Sequence, residues 1–429
     1  MNKDKWKEAA GSLLSKLSFL RLDEGLDDSE EELQVEEKDV SSGRDLPEGD
    51  LRQKLAWNRK RVARRRIILV VLAVVIVGSF VLYNRLHVFE DYVIAETKEI
   101  EMTAGTEYVS AGKKLFRYNS DGVSLVSRKN ETEWSITYSM QAPIADICGT
   151  TMVIAEQQGT QVYVVDEEGL VGSFDTQIPI LKARVSRQGV VALVLQDEDV
   201  TWVNLYKADG SAVAADKTRV GETGYPLDID LSPNGQKLAV SYLSVDDGVM
   251  TSHVVFYHFG QEGRKKENNI VSSADYAETV IPQIYFTDNS RAVAVADGGF
   301  YVFRGSDAPK ESVFVSLDRE IISCFHDDEI IGFLFPNEDG EEQYRMELYN
   351  YSGKRKLSKK IDATFDNIKV ENGQILMYNE KGFDVFTKSG QLRFSSAYEK
   401  AVEEFFYFGE FRKYLVITRD SFDKIRIGS

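Results

Sequence analysis

The sequence predicts an all-β fold, an eight-bladed β-propeller, preceded by one transmembrane helix and a cytoplasmic tail. From residue 108 onward, short runs rich in β-branched and aromatic residues alternate with turn residues, and no convincing helical period is visible. Two series of turns recur in phase along this region. An uncharged run of seventeen residues, 67–83, precedes it.

The first series of turns predicts the number of blades. A hairpin turn followed by an apolar run recurs at Gly112, Gly149, Gly189, Gly235, Ser290, Asp328, Gly373 and Glu410. Successive positions lie 37 to 55 residues apart, which fits the length of a four-stranded blade. Most of these units also contain a later run that ends in Gly or Asn, as expected for the hairpin between the third and fourth strands. Eight blades are predicted, or seven if residues 320–362 are an insertion.

Both ends of the propeller are predicted to share one sheet. The eighth unit ends at its third strand, DKIRI (423–427), and lacks a fourth. Residues 92–103 form an extra strand before the first unit. This strand can complete the last blade and leave no open sheet edge. The propeller domain is therefore predicted to span residues 92–429.

Two segments resemble known propeller sequences. Leu231-Ser-Pro-Asn-Gly235 followed by LAVSY is similar to the blade turn of YVTN and WD40-like propellers, and GVSLVSRKNETEWSI (122–136) resembles the blade end of quinoprotein-like propellers. The whole layout resembles a clostridial (Firmicutes) family of single-pass membrane proteins of unknown function with a propeller ectodomain. The resemblance implies the fold and a location in the cell envelope, and it implies no activity.

Residues 67–86 are predicted to cross the membrane. The uncharged run Ile67–Tyr83, extended to residue 86, reaches the ~20 residues that the hydrocarbon core requires. Basic residues flank its N-terminal side and place that side in the cytoplasm by the positive-inside rule. These topology determinants are Arg59, Lys60, Arg61, Arg64, Arg65 and Arg66. The propeller is therefore predicted to be extracytoplasmic, on a cell membrane protein with a cytoplasmic N-terminus.

The cytoplasmic tail is predicted to have two parts. Residues 1–22 contain an amphipathic helix, because apolar side chains recur at helical spacing over 5–22. This helix either binds a cytoplasmic partner, lies on the membrane surface or has no specific role. Residues 23–66 form an acidic disordered spacer followed by the basic juxtamembrane cluster, with ten acids and one lysine in 23–39 alone.

Composition and motifs exclude several functions. The net charge of −17 argues against nucleic-acid binding, which needs a basic face. No catalytic, cofactor-binding or metal-binding motif is recognised, and His253 and His258 are predicted to face opposite sides of one strand. We therefore expect a non-enzymatic scaffold or ligand-recognition module with an envelope protein partner. The alternatives are a carbohydrate- or cell-wall-active enzyme with carboxylates in the central channel, or a transmembrane sensor.

The two faces of the ring are predicted to differ in charge. The loops between second and third strands define an acidic face, expected to point outward to a partner. Its residues are Asp197, Glu198, Asp199, Asp246, Asp247, Asp297, Glu338, Asp339, Glu341 and Glu342. The turns between third and fourth strands define a basic face, expected to lie over anionic lipid. Its residues are Arg264, Lys265, Lys266, Lys354, Arg355 and Lys356.

Overall fold

A computed structural model describes residues 64–79, 83, 87–198, 200–219, 224–338, 340–363 and 365–428. The chain divides into two units, Met1–Val77 and Gly78–Ser429. Residues 64–79 are helical, and their large apolar side chains are exposed except that of Leu72, which is partly buried. Among the described residues, no helix has both the length and the hydropathy needed to cross a membrane. The predicted amphipathic helix, the acidic spacer and Arg59, Lys60 and Arg61 lie outside the described residues.

Within the described part of the second unit, the strands form eight four-stranded antiparallel sheets, which we number as blades. The first strand of the described residues, β1 (Tyr92–Glu99), belongs to blade 8. Blade 1 contains β2 (Glu107–Ala111), β3 (Lys114–Asn119), β4 (Gly122–Ser127) and β5 (Thr132–Thr137). Blade 2 contains β6 (Pro143–Cys148), β7 (Thr151–Glu156), β8 (Gln161–Asp166) and β9 (Gly169–Asp175). Blade 3 contains β10 (Ile180–Val185), β11 (Val191–Asp197), β12 (Val200–Tyr206) and β13 (Ala212–Arg219). Blade 4 contains β14 (Tyr225–Leu231), β15 (Lys237–Asp246), β16 (Val249–His258) and β17 (Ile270–Ala277).

The remaining four blades follow the same order. Blade 5 contains β18 (Gln283–Asp288), β19 (Arg291–Ala296), β20 (Gly299–Arg304) and β21 (Lys310–Ser316). Blade 6 contains β22 (Ser323–His326), β23 (Ile330–Pro336), β24 (Tyr344–Asn350) and β25 (Arg355–Ile361). Blade 7 contains β26 (Asn367–Glu371), β27 (Gln374–Asn379), β28 (Gly382–Thr387) and β29 (Leu392–Ala397). Blade 8 contains β30 (Val402–Tyr407), β31 (Lys413–Thr418) and β32 (Ser421–Ile427), completed by β1.

The core lies between the blades. Among the described residues, buried apolar side chains form eight clusters, and each cluster joins two neighbouring blades. Second strands such as β7 are apolar on both faces because every blade is packed between two others. The prediction of eight blades is confirmed. The seven-blade alternative is wrong, because residues 320–362 supply all four strands of blade 6 and pack against blades 5 and 7.

The ring closes as predicted. Strand β1 pairs antiparallel with β32, from Tyr92 opposite Ile427 to Glu99 opposite Ser421. The strand ends at Glu99 instead of residue 103, but the N–H groups of Ile100 and Met102 still donate to carbonyls of the β31–β32 turn. Residues from both ends of the domain therefore share one sheet, and the third strand of blade 8 is paired on both sides.

Two side chains fasten this closure to neighbouring blades. Phe89 is buried in the cluster between blades 7 and 8, and its backbone bonds to β29 of blade 7. Arg128, from blade 1, donates to Glu371 Oε1 of blade 7 at 2.8 Å and to the Tyr407 carbonyl of blade 8. It also donates to Ser110 Oγ of its own blade at 2.8 Å. Residues from three blades thus meet at one buried guanidinium.

Removal of β1 should open the ring. We compare a chain that begins at His87 with one that begins at Met102. The shorter chain loses the β1–β32 hydrogen bonds and the Phe89 contact, a loss of roughly 3–6 kcal/mol, and exposes an unpaired edge. Its thermal midpoint should fall and it should aggregate, whereas the chain from His87 should stay monomeric. Size-exclusion chromatography and thermal melting measure both effects. Equal midpoints for the two chains would contradict the closure.

Candidate functional site

The acidic face has exposed acids in each of the four successive blades 3 to 6. Asp197 and Asp246 end the second strands of blades 3 and 4, and Asp297 lies in the corresponding turn of blade 5. Glu338, Glu341 and Glu342 lie in the longer connection of blade 6. These side chains, with Glu198 and Asp247 in their turns, are exposed. Asp199 and Asp339 lie outside the described residues.

Loops from fourth strands to the next blade add charge to the same face. The sequence analysis did not assign these loops to the acidic face. Each of them joins two blades, so its face is known only once the boundary between the two blades is known. Exposed acids of this kind are Glu278, Asp318, Glu320, Asp362 and Asp366. Three bases on this face are in ion pairs: Arg319 with Glu347 (3.6 Å), Lys400 with Asp420 (3.1 Å) and Arg419 with Glu403 (2.7 Å). The face therefore presents a broad negative potential.

A long hairpin extends from the acidic face at blade 4. Its strands, β15 and β16, have ten residues each, whereas the second and third strands of the other blades have six or seven. Val245, Val249 and Met250 near its tip are exposed. Asp246 and Asp247 lie between them in sequence. The hairpin therefore offers apolar and negatively charged groups together.

The opposite face, which carries the predicted basic face, has mixed charge. Arg264, Lys265, Lys266, Lys354, Arg355 and Lys356 are exposed there or at its edge. The turns between first and second strands share this face and contribute acids, such as Asp327, which pairs with Lys388 at 2.6 Å. Lys265 pairs with Glu262 at 2.7 Å, and Arg355 reaches Glu347 at 3.3 Å. The prediction of a basic face did not include these turns.

A cavity of about 340 Å³ opens at blade 1 on the side of the acidic face. Its wall is mostly polar and includes Glu101, Asn119, Ser135 and Arg117. The Arg117 Nε donates to Ser124 Oγ at 3.0 Å. The cavity could hold a small polar group, but its lining does not select a particular chemistry.

Carboxylates on the innermost strands brace neighbouring blades. Asp146 of blade 2 accepts the N–H of Val185 in blade 3 at 2.8 Å. Asp228 and Asp230 of blade 4 accept the N–H groups of Ile284 (3.0 Å) and Phe286 (2.6 Å) in blade 5, and Glu371 of blade 7 accepts that of Tyr407 in blade 8 (2.8 Å). The sequence analysis did not single out these residues; for Asp146, Asp228 and Asp230, an acid inside an apolar run, as in IADIC and PLDID, is the signal that would have found them.

The carboxylates that brace the blades also bond basic side chains, and burial changes their pKa values. Asp228 also accepts from Arg184 at 3.1 Å and Lys182 at 3.3 Å. Burial raises the pKa of Asp146, although Arg184 opposes the change. Burial, and then the charge of Asp146, raises the pKa of Asp230 to about 8. Because their oxygens already bond to backbone and basic groups, these carboxylates are suited to holding blades together.

Three polar side chains form a hydrogen-bonded chain across blade 4. Ser244 Oγ lies 2.9 Å from His253 Nε2, and His253 Nδ1 lies 2.7 Å from Asp275 Oδ1. The order resembles a nucleophile, base and orienting acid. However, the Asp275 side chain is 71% exposed, so water competes for its hydrogen bond. We interpret the chain as a link between three adjacent strands at their outer ends.

Comparison with known proteins identifies the family. A family described as "Family of unknown function (DUF5711)" matches residues 85–427, which is most of the chain. The chain belongs to this family. The predicted resemblance to a family of unknown function with a propeller fold is therefore confirmed at this level. No curated protein matches the sequence significantly.

Solved structures resemble this DUF5711 member in fold. Sqt1 from Saccharomyces cerevisiae is 10% identical, with a TM-score of 0.51, over 80% of this chain and 100% of that chain. A eukaryotic initiation factor is 14% identical, with a TM-score of 0.50, over 76% and 85% of the two chains. BamB from Moraxella catarrhalis is 10% identical over 78% and 100%, and its TM-score of 0.48 is too low to support an inference. At these identities the similarity concerns the fold alone.

Replacement of Asp230 by Asn should change how stability depends on pH. The unfolded chain releases this proton near pH 3.8, whereas the folded chain holds it to about pH 8. The folded state therefore binds more protons between these values, and this group makes stability fall as the pH rises through that window. Asn keeps an acceptor for Phe286 and carries no charge, so the variant should be more stable than the unmodified protein at pH 8, by up to about 5 kcal/mol for a shift of this size. Thermal midpoints at pH 5 and pH 8 test this, with the exposed Asp297→Asn as the control. A parallel pH dependence in all three proteins would contradict the prediction.

Proposed function

We propose that this DUF5711 member is a membrane-anchored, extracytoplasmic β-propeller that serves as a protein-interaction scaffold of the cell envelope. The observation that carries the proposal is the acidic face, which has exposed acids in four successive blades, 3 to 6, and is extended by the β15–β16 hairpin. A surface with this charge favours a partner with a basic contact region, and it steers such a partner during encounter. Nucleic acid, which is anionic, is disfavoured.

The exposed apolar side chains at the tip of the hairpin can contribute binding free energy that charge alone does not provide. Val245, Val249 and Met250 can be covered by a partner, and burial of such side chains contributes most of the binding free energy in protein interfaces. Asp246 and Asp247 beside them would set the orientation. The partner's contact region is therefore expected to combine apolar and basic side chains.

Membrane anchoring is supported by the sequence and by the exposure of apolar side chains in the helix 64–79. The run 67–83 carries no charge, and Ile67, Ile68 and Val74 are exposed in a helix. Arg64, Arg65 and Arg66 precede it directly and favour a cytoplasmic N-terminus in a single-pass protein. Residues 5–22 could then bind a cytoplasmic partner, which is also what a transmembrane sensor would require.

We propose a binding role and not a catalytic one. An enzyme acting on carbohydrate or cell wall needs two carboxylates with open access, ~5–9.5 Å apart. The buried channel carboxylates Asp146 and Asp228 instead accept backbone N–H groups from the next blade. This engagement favours the scaffold over the enzyme.

Site-specific photo-crosslinking tests the scaffold. A photoreactive residue replaces Asp247, at the hairpin tip, or Lys207, an exposed residue of the opposite face, in the natural membrane. We expect a discrete protein adduct at position 247 and none at 207. The partner, once identified and purified, should bind the Asp246→Asn/Asp247→Asn double variant about ten-fold more weakly. Equal adducts at both positions, or unchanged affinity, would refute the proposal.

Cysteine labelling tests the topology. Asp297→Cys should react with an impermeant maleimide on intact cells stripped of their wall, because it lies in an exposed loop of the propeller. Lys3→Cys should react only after the membrane is permeabilised. The unmodified chain, with Cys148 and Cys324, provides the background. Labelling of Lys3→Cys on intact cells would show that the orientation is wrong.

A further inference from the structure

The incoming chain meets the β30–β31 turn at one corner of the propeller. The Gly428 N–H donates to the Asp91 carbonyl at 3.2 Å, and the Ile427 N–H donates to the Arg412 carbonyl at 3.0 Å. The Arg412 guanidinium lies 4.3 Å from the centre of the Phe89 ring. The turn and the segment before β1 therefore form one local structure, on the face opposite the acidic face.

Aromatic groups are exposed at this corner. Phe411 is 70% exposed, more than any other large apolar side chain among the residues that the structure describes. Its ring lies 5.2 Å from the Arg412 guanidinium. Tyr83, also exposed, stacks on His87 with 4.9 Å between ring centres, and His87 packs edge-on against Phe89 at 4.8 Å.

The combination matches the chemistry of a bilayer interface. Aromatic rings prefer the headgroup region, and a guanidinium bonds phosphate oxygens well. The sequence adds continuity, because the uncharged run 67–83 ends only four residues before His87. A phospholipid surface is therefore near Phe411 if residues 67–86 cross the membrane.

We propose that Phe411 inserts into the phospholipid headgroup region and that Arg412 contacts lipid phosphate beside it. We call Phe411, Arg412, Tyr83 and His87 the interfacial corner. This inference rests on the membrane anchoring proposed above. The contact depends on the exposed ring and not on the net charge of this face, which is mixed. It turns the acidic face away from the bilayer, so that the β15–β16 hairpin is accessible to a partner.

The experiment uses the full-length protein in phosphatidylcholine vesicles with and without brominated acyl chains. Phe411→Trp places an indole at the corner, and Ile322→Trp, 46% exposed on the acidic face, is the matched control. The fluorescence of the unmodified protein, with its four tryptophans, is subtracted. We expect brominated lipid to quench the indole of Phe411→Trp at least two-fold more than that of Ile322→Trp.

Flotation of the vesicles separates the two proposals. Protein that floats with the vesicles but shows equal quenching in both variants overturns the interfacial corner and leaves the anchoring intact. Protein that does not float overturns the anchoring, and the corner with it. A blue shift of the Phe411→Trp emission without quenching would mean that the ring is covered by protein, which also overturns the proposal.

Discussion

Pairing of β1 with β32 is the interaction on which the rest of this structure depends. A propeller is a ring, so each blade needs a neighbour on both sides to bury its two apolar faces. Strands from both ends of the domain build blade 8, and this links the chain termini that would otherwise separate. Phe89 and Arg128 extend the closure into blades 7 and 1. Loss of this closure would expose apolar surface of blade 8 and of the two blades that adjoin it.

The innermost strands present a second constraint, since one edge of each faces the axis and lacks a sheet partner. Asp146, Asp228, Asp230 and Glu371 solve part of this problem by accepting N–H groups from the next blade. Burial of a carboxylate is unfavourable unless hydrogen bonds compensate it. Each of these hydrogen bonds fixes the position of one blade relative to the next. Packing between the apolar faces alone would fix that position less well.

The charge of the surface follows from how the blades are connected. Loops from second to third strands and loops between blades emerge on one face, and both sets are rich in acids. Turns on the other face mix the two signs, and many of their charges are paired. The propeller thus has one face with a strong field and one face that is nearly balanced. Such an asymmetry fits the scaffold that we propose, which is held near a membrane and open to a partner on its far side.

The sequence by itself determined the all-β fold and the closing strand, and it predicted eight blades with seven as the alternative, which the structure then excluded. Turns rich in Gly and Asn and apolar second strands are local signals, and they repeat once in every blade. The sequence also located the acids of the second-to-third loops, because those loops lie inside one unit.

Only the tertiary structure decided which groups meet across blades. Arg128 is separated from Glu371 by 243 positions, and Asp228 from Ile284 by 56, so no spacing rule connects them. The contacts of Arg412 with the rings of Phe411 and Phe89 likewise join the two ends of the domain. Such contacts form when the ring closes and brings together segments that are distant in the sequence. A periodic sequence contains no local pattern that indicates which of these segments will meet.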